Sequence, residues 1–206
     1  MRSLFNLSLL TSIFAVVLAS FIGATLFNPI VCSFLFLLVF LSRDDHNSLL
    51  LTVIFAMVFV LDSFSIIGIK YLIFPYVTSN FIQNVYAFGS QLILSIFLLI
   101  LLKYRMTVAV FLTRGKSASV FEKNYAEGPL YLLVIILVLV DFFALIENFI
   151  RNLDRMGVSE EVAKAFWEWT FFYDYFEYLK AVPIFLCIAL LYVGLVVRTK
   201  RKPIQN

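Results

Sequence analysis

The chain has 206 residues, of which 63% are hydrophobic and 14% are charged, and its formal net charge is +3. Soluble domains contain about 45–50% apolar and about 25% charged residues, so this composition excludes a soluble enzyme or a nucleic-acid-binding protein. A mean hydropathy of +1.00 also excludes a disordered chain. These values predict an all-α, polytopic membrane protein that forms one integral membrane domain over residues 1–206.

The first two apolar runs predict membrane-spanning helices over residues 4–27 and 30–42. Asn28-Pro29 separates them, and proline suits the first turn of a helix because an amide donor is not needed there. We therefore expect Asn28-Pro29 to cap the second helix in a tight outer turn and to carry no chemistry. The first run lacks a small-residue cleavage site, so we expect it to remain as a span.

Four further apolar runs predict spans three to six, over residues 49–74, 81–102, 129–150 and 180–197. About six spans place both termini on the same side of the membrane. With the termini inside, eleven of the 16 Lys and Arg residues lie in inner segments, four lie in outer segments, and Lys70 lies within the third span. Basic residues concentrate on the cytoplasm-like side of membrane proteins, so this distribution supports an even number of spans.

Two connecting segments are long. Residues 103–128 are basic and predict a segment that lies over lipid head groups. In residues 151–178, Ser159 is suited to cap an amphipathic interfacial helix, since Glu160 and Glu161 occupy its first turn. The rest of this segment interleaves aromatic side chains, including both tryptophans, with acids. That pattern is typical of an aromatic belt at the membrane interface, and a quinone or lipid pocket is the alternative.

Two aspartates lie near the middle of predicted spans: Asp62 in the third and Asp141 in the fifth. Ionisable groups at this depth are costly, so they mark either proton and ion paths or bonds between helices. Each carboxyl group could relay protons, or could bond to a neighbouring helix through a tyrosine or through Ser63, Ser65 or Ser90. The sequence leaves both interpretations open.

Other ionisable residues flank these aspartates. Lys70 follows Asp62 by two turns, and we expect its side chain to extend to the outer interface. Glu147 follows Asp141 by nearly two turns and can pair with Arg151, four residues further along the same helix face. This group predicts a solvated helix end, with a role in transport as the alternative.

The rare residues argue against a metal or haem site. His46 is the only histidine, whereas bis-histidine haem and most zinc sites need more than one. Cys32 and Cys187 lie in separate apolar runs, and there is no CxxC sequence for an iron–sulfur cluster. No nucleophile–base pair and no phosphate-binding glycine loop indicates catalysis.

Three stretches follow one another in an order shared with a known family. Asn28-Pro29 precedes an aliphatic run that ends in phenylalanine, Phe55-Ala56 lies at a matching distance in the third span, and an apolar helix with Gly194 precedes a basic tail. In these features the chain resembles chain 6 of the respiratory NADH:ubiquinone oxidoreductase (complex I) in its mitochondrial form. The 24 phenylalanines also suit an AT-rich organellar genome.

The resemblance implies a core membrane-arm subunit that helps to couple quinone reduction to proton translocation. Such a subunit would be non-catalytic and would bind no cofactor itself, since NADH, flavin, iron–sulfur clusters and quinone would be bound elsewhere in the complex. Its partners would be other membrane-arm subunits and lipid, not nucleic acid, and it would not be stable alone. It would lie in the mitochondrial inner membrane, or alternatively in a bacterial inner membrane.

The family's third helix alternates between π-bulged and regular forms, which would make Asp62 and Gly68 candidates for the switch helix and Asp62, Lys70, Asp141 and Glu147 candidates for the proton path. The chain departs from the family in this helix. The family's Val-Tyr-Val-Gly-Ala places hold Leu61 to Ile66, and Val53 stands where the family has an acid. Two other interpretations therefore remain: a small stand-alone transporter or channel, or a structural subunit of another membrane complex.

Overall fold

The computed structural model describes residues 2–21, 24–113, 122 and 124–201. All regular structure in these residues is helical, which confirms the all-α prediction. Four helical stretches are long and apolar enough to cross a membrane: His46–Ile73, Asn80–Lys103, Glu127–Arg151 and Glu160–Lys200. These are the features of an integral membrane protein.

The first two helices, α1 (Arg2–Phe21) and α2 (Ala24–Leu41), meet earlier than the sequence predicts. Asn28 and Pro29 lie inside α2, so the predicted cap at Asn28-Pro29 is wrong. A proline at this point, in the second turn, lacks the amide that would bond to the carbonyl group four residues earlier, and its ring crowds that carbonyl group. The apolar sequence on both sides favours continuous helix in spite of that loss.

The third helix is α3 (His46–Gly68), and it continues through a π-helical turn over Ile69–Ile73. The remaining helices are α4 (Asn80–Lys103), α5 (Arg105–Thr113), α6 (Glu127–Arg151), α7 (Glu160–Ala163) and α8 (Phe171–Arg201). The short helix α5 lies in the predicted basic loop, of which residues 114–121 and 123 are outside the described residues.

The predicted interfacial helix is the single α-helical turn α7, which continues directly into a 3₁₀ turn over Lys164–Phe166. Ser159 is its N-cap residue, as expected, but the Ser159 side chain makes no capping bond. Gly157, just before it, has a φ of 93°, a left-handed conformation that favours glycine. The second part of the aromatic stretch is the beginning of α8, which starts at Phe171 rather than at residue 180, whereas both tryptophans precede this helix.

Helix α8 is the central element of the bundle. It packs against α1, α2, α3 and α6, while α4 packs between α3 and α6. Phe55, Leu98 and Leu130 are among the fully buried apolar side chains between these helices. A Cβ atom on Gly194 would lie 3.1 Å from Cβ of Ala126, so α8 passes close to the start of α6 at this glycine.

A buried polar network closes one end of the bundle. We call it the clasp, and it consists of Asp45, Asn47, Arg105, Asn124 and Arg198. The Arg198 guanidinium donates to both carboxylate oxygens of Asp45, with Nε–Oδ2 and Nη2–Oδ1 distances of 2.7 and 3.1 Å. Oδ1 of Asn47 accepts from Arg105 at 2.8 Å and from Asn124 at 3.2 Å. The clasp therefore joins α3, α5, α8 and the segment that leads into α6.

Asp45 has a second role, as the N-cap of α3. Its Oδ2 accepts from the amide of Ser48 at 3.2 Å and from the Ser48 hydroxyl at 2.6 Å. Burial alone would raise the pKa of Asp45, but the hydrogen bonds and the charge of Arg198, together with Ser48, lower this pKa to about 2. The carboxylate is thus fixed in its charged form by its partners.

Replacing Asp45 with Asn should lower the free energy of unfolding near pH 7 by about 2–4 kcal/mol, because the Arg198 guanidinium would lose its buried counter-charge. The pKa of Asp45 is lowered in the folded state, so its contribution is present above pH 4 and is lost as the pH falls towards about 2. The stability difference between the wild-type chain and D45N should shrink over that range. Reversible denaturation in detergent micelles at several pH values would measure the stability loss near pH 7 and its decrease at lower pH.

Glu160→Gln is the control for this experiment. It removes an exposed ion pair with Lys164, and such a pair contributes only about 0.5 kcal/mol or less. Equal losses in E160Q and D45N would contradict the assignment of the clasp as a stabilising contact.

Candidate functional site

An ion pair between a fully buried carboxylate and a largely buried ammonium group lies between α6 and α8. Asp141 has no exposed surface, and its Oδ1 lies 2.9 Å from the Lys180 ammonium group. The same ammonium group donates to Oε1 of Gln91 at 2.6 Å. The second oxygen of Asp141 accepts from the Ser95 hydroxyl at 2.5 Å. Both charges are therefore paired and hydrogen-bonded, as buried charges must be.

Asp62 of α3 lies beside this pair and is only 8% exposed. Its Oδ2 accepts from the Asn28 amide at 2.9 Å, but its Oδ1 is buried and has no hydrogen-bond partner among the described residues. A buried, unpartnered carboxylate oxygen is costly. We call these residues the central cluster, and its members are Asn28, Asp62, Gln91, Ser95, Asp141 and Lys180.

The central cluster lies near the middle of the bundle. Asp141 is ten residues from the end of α6, Lys180 is nine residues from the start of α8, and Asp62 is eleven residues from the end of the π-helical turn. At 1.5 Å per residue these are depths of about 15 Å from one end of the bundle. A membrane hydrocarbon core is about 30 Å thick, so these three groups would lie near the midplane of a bilayer that their helices cross from end to end.

Two cavities are lined by both Asp62 and Lys180. The larger, of about 120 Å³, is lined by Asp62, Gln91 and Lys180, and the exposed side chain of Glu177 lies at its rim. The smaller, of about 20 Å³, continues between Asp62 and Ser95. A water molecule needs roughly 10–15 Å³ of such space, so the larger cavity can hold several waters and the smaller about one. Water can therefore reach the carboxyl group of Asp62.

The charges of the central cluster do not balance. Two carboxyl groups, Asp62 and Asp141, share one ammonium group, that of Lys180, and full ionisation would leave one negative charge. A net charge at this depth costs at least a few kcal/mol. The arrangement is therefore suited to hold one additional positive charge on Asp62. The adjacent ammonium group repels a metal cation. A proton bound to Asp62, in contrast, converts the carboxylate into a neutral carboxylic acid.

Of the five predicted site residues, Asp62 and Asp141 lie in the central cluster, while the other three lie outside it. Lys70 is exposed in the π-helical turn, with its ammonium group 5.9 Å from the Tyr71 ring centroid. Gly68 is half-buried, and a Cβ atom there would have no neighbour within 4 Å, so no close contact requires glycine.

The expected pairing of Glu147 with Arg151 is wrong. The Glu147 carboxylate accepts from the backbone amides of Phe172 and Tyr173 at 2.8 and 2.7 Å, and the Arg151 guanidinium lies 5.0 Å from the Tyr173 ring centroid. The first amides of a helix have no partner within it, so a buried carboxylate gains more from them than from an exposed cation. Glu147 therefore caps α8 and is not part of a solvated helix end.

Sequence reasoning missed Asn28, Gln91, Ser95 and Lys180. Of the serines considered, Ser63 donates to its own helix, to the Phe59 carbonyl. Lys180 could have been found if the acidic and aromatic residues before it had been interpreted as helix, because it would then lie inside a span. Among the described residues, no three His, Cys, Asp or Glu side chains form a possible metal site.

Comparisons of this chain with protein-family models, curated proteins and solved structures found no match.

A double-mutant cycle should show that Asp141 and Lys180 stabilise the bundle as a pair. Lys180→Met should lower the free energy of unfolding by about 3–5 kcal/mol, because it leaves Asp141 buried without a counter-charge. Asp141→Asn should cost less, because Asp62 remains near the Lys180 ammonium group. The double variant should lose less than the sum of the two losses, with a coupling of more than about 1 kcal/mol.

Reversible unfolding in micelles would give these values, and Lys70→Met would be the control. Lys70 has no ion pair among the described residues, so K70M should change stability by less than about 0.5 kcal/mol. Additive losses in the double variant would contradict the pairing.

Proposed function

We propose that this chain is a small membrane transporter or channel that binds a proton at Asp62 and passes it across the bilayer. Two observations carry this proposal: Asp62 has a buried Oδ1 without a hydrogen-bond partner among the described residues, and the same side chain lines a cavity that can hold water. A group that takes up and releases a proton at the midplane needs both access to water and an environment that disfavours its charge. The central cluster supplies both.

Lys180 accounts for how the proton can leave. Its ammonium group lines both cavities and interacts with the charge of Asp62 while it pairs with Asp141. A shift of this flexible side chain towards Asp62 would stabilise the carboxylate and favour proton release. A shift back to Asp141 would favour proton uptake. The lysine thus acts as a movable counter-charge between two fixed carboxyl groups.

Proton flux into liposomes tests this function. The purified chain would be reconstituted with an internal pH dye, and a potassium gradient with valinomycin would supply the driving force. Asp62→Asn keeps the acceptor oxygen for Asn28 but cannot titrate, so the proton flux should fall at least about tenfold. The Asp154→Asn variant makes the same chemical change on the exposed 3₁₀ turn Leu153–Met156 and should retain flux within about twofold.

Both variants must fold for this comparison, which near-identical elution from size exclusion would establish. Wild-type flux in a folded D62N variant would contradict proton transfer at Asp62. In that case the carboxyl group would act only as a contact between α2 and α3.

A six-span topology with both termini inside is part of the proposal. Helices α1 and α2 have 20 and 18 residues, which is within the usual range for a span of about 17–25 residues. This arrangement puts the clasp on the inner side and the beginning of α8 on the outer side.

Cysteine labelling distinguishes six spans from four. Phe21→Cys, at the end of α1, should react with an impermeant maleimide from the same side as Asp154→Cys and from the side opposite Arg43→Cys. If Phe21→Cys instead reacts from the side of Arg43→Cys, α1 and α2 do not cross the membrane and the chain has four spans.

A second candidate function is that of a membrane-arm subunit of the proton-pumping NADH:ubiquinone oxidoreductase in the mitochondrial inner membrane. The π-helical turn at Ile69–Ile73 supports it, because the resemblance implies a π-helical feature in the third helix. The turn lies just beyond the places where the family's bulge would fall, Leu61 to Ile66. In this role Asp62 would lie on the coupled proton path of the complex, and NADH, flavin, iron–sulfur clusters and quinone would be bound by other chains.

Native electrophoresis distinguishes these two functions. A subunit should migrate with a large assembly that oxidises NADH in the gel and should be lost when purified alone. A stand-alone transporter should purify intact in detergent and retain proton flux in liposomes. Migration in a large assembly without NADH oxidation would instead indicate a structural subunit of another membrane complex.

A further inference from the structure

A second site lies where α6 ends and α8 begins. Here a groove of about 650 Å³ is lined by three acids, Glu147, Glu168 and Asp174, and by no lysine or arginine. Glu147 is nine-tenths buried, and Glu168 and Asp174 are exposed. Both oxygens of Glu147 already accept from the first amides of α8, so the groove presents the charges of Glu168 and Asp174 to any ligand that enters it.

The other walls of this groove are aromatic. Trp169, Phe171, Phe172 and Tyr175 are among its lining residues. Aromatic faces and carboxylates together attract substituted ammonium groups, whose charge is diffuse and whose methyl groups pack on rings. A phosphate group would be repelled by the three carboxylates. The chemistry of the groove thus fits an organic cation that carries no anionic group.

A second groove continues from the first. It has a volume of about 510 Å³ and shares Phe171 and Tyr175 with the acidic groove. It runs along α8, where it is lined by aliphatic side chains that include Val16 of α1, Ile136 of α6 and Val182 of α8. The two grooves adjoin at Phe171 and Tyr175, and we call the pair of grooves the depression; its first part is acidic and aromatic, and its second part is apolar.

We propose that this depression binds a single-chain cationic amphiphile. The ammonium head group lies among the carboxylates and rings, and the hydrocarbon tail lies in the apolar groove along α8. Charge complementarity fixes the head, because the lining acids have no basic neighbours in the groove. Because the two grooves adjoin, the hydrocarbon tail can extend from the acidic groove into the apolar groove. The proposal does not depend on proton binding at Asp62, which lies in a different cavity.

Titration with dodecyltrimethylammonium tests the site. The full chain would be held in maltoside detergent with Trp167→Phe, which leaves Trp169 in the groove as the only tryptophan. Its fluorescence should change saturably with the cation and should not do so with dodecanol, which has the same tail and no charge. The double variant Glu168→Gln/Asp174→Asn should bind at least about tenfold more weakly.

Matched variants separate recognition from general attraction. Glu160→Gln/Glu161→Gln removes two exposed acids from α7, outside the groove, and should leave binding unchanged. Val16→Phe fills the apolar groove and should weaken binding of the dodecyl chain, whereas Val17→Phe, on the neighbouring exposed residue that does not line it, should not.

Three results would overturn the proposal: equal binding of dodecanol, equal losses in the groove and α7 acid variants, or equal losses in V16F and V17F. Unchanged binding in Glu168→Gln/Asp174→Asn would overturn it as well. Because none of these variants touches the central cluster, a failed result here is distinguishable from failure of proton transfer in liposomes.

Discussion

The Lys180 ammonium group is the feature on which the interior of the bundle depends. Asp141 has no exposed surface, and this is tolerable only because the ammonium group of Lys180 and the hydroxyl of Ser95 satisfy its two oxygens. These contacts fix α4, α6 and α8 relative to one another at one depth. Gln91 of α4 also accepts a hydrogen bond from the lysine, so the ion pair is held between three helices.

One ammonium group cannot neutralise two carboxylates, so Asp62 has no counter-charge of its own. Beside the clasp, Glu122 and Glu127 join Asp45 around Arg105 and Arg198, so that the described residues there include three acids and two bases. Glu122 is exposed, however, so water can compensate its charge at that end. In the central cluster, water can compensate a charge only from within the cavities. The same imbalance is therefore harmless in the clasp and chemically useful at the midplane.

The sequence alone was sufficient for helices with long, uninterrupted apolar runs. The predicted bounds of α4 and α6 agree with the structure to within two residues, because polar residues adjoin both ends of each run. The start of α8 was not predictable in this way. Its first turns carry Asp174 and Glu177, and the hydropathy pattern does not show that Glu147 satisfies the free amides at this helix end.

The central cluster was predictable only in part. Two mid-span aspartates stand out in an apolar sequence, so Asp62 and Asp141 could be selected without a structure. Their partners could not, because Gln91 and Ser95 are ordinary residues in a span, and only helix packing decides which of them faces an acid. Asn28 was misassigned because the proline after it resembles a helix start. The position of a proline limits helix geometry but does not exclude a helix.

The spacing between Lys180 and Arg198 along α8 is constrained, because two separate networks depend on it. Lys180 and Arg198 are 18 residues apart in one helix, which is five complete turns at 100° per residue, so both point from the same face. Gly194, which lets α8 pass α6, is only about 40° from that face by the same periodicity. An insertion or deletion of one residue between Lys180 and Arg198 would rotate one partner by about 100°, and the clasp and the central cluster could not then form together. The length of α8 is therefore under tighter constraint than most of its individual side chains.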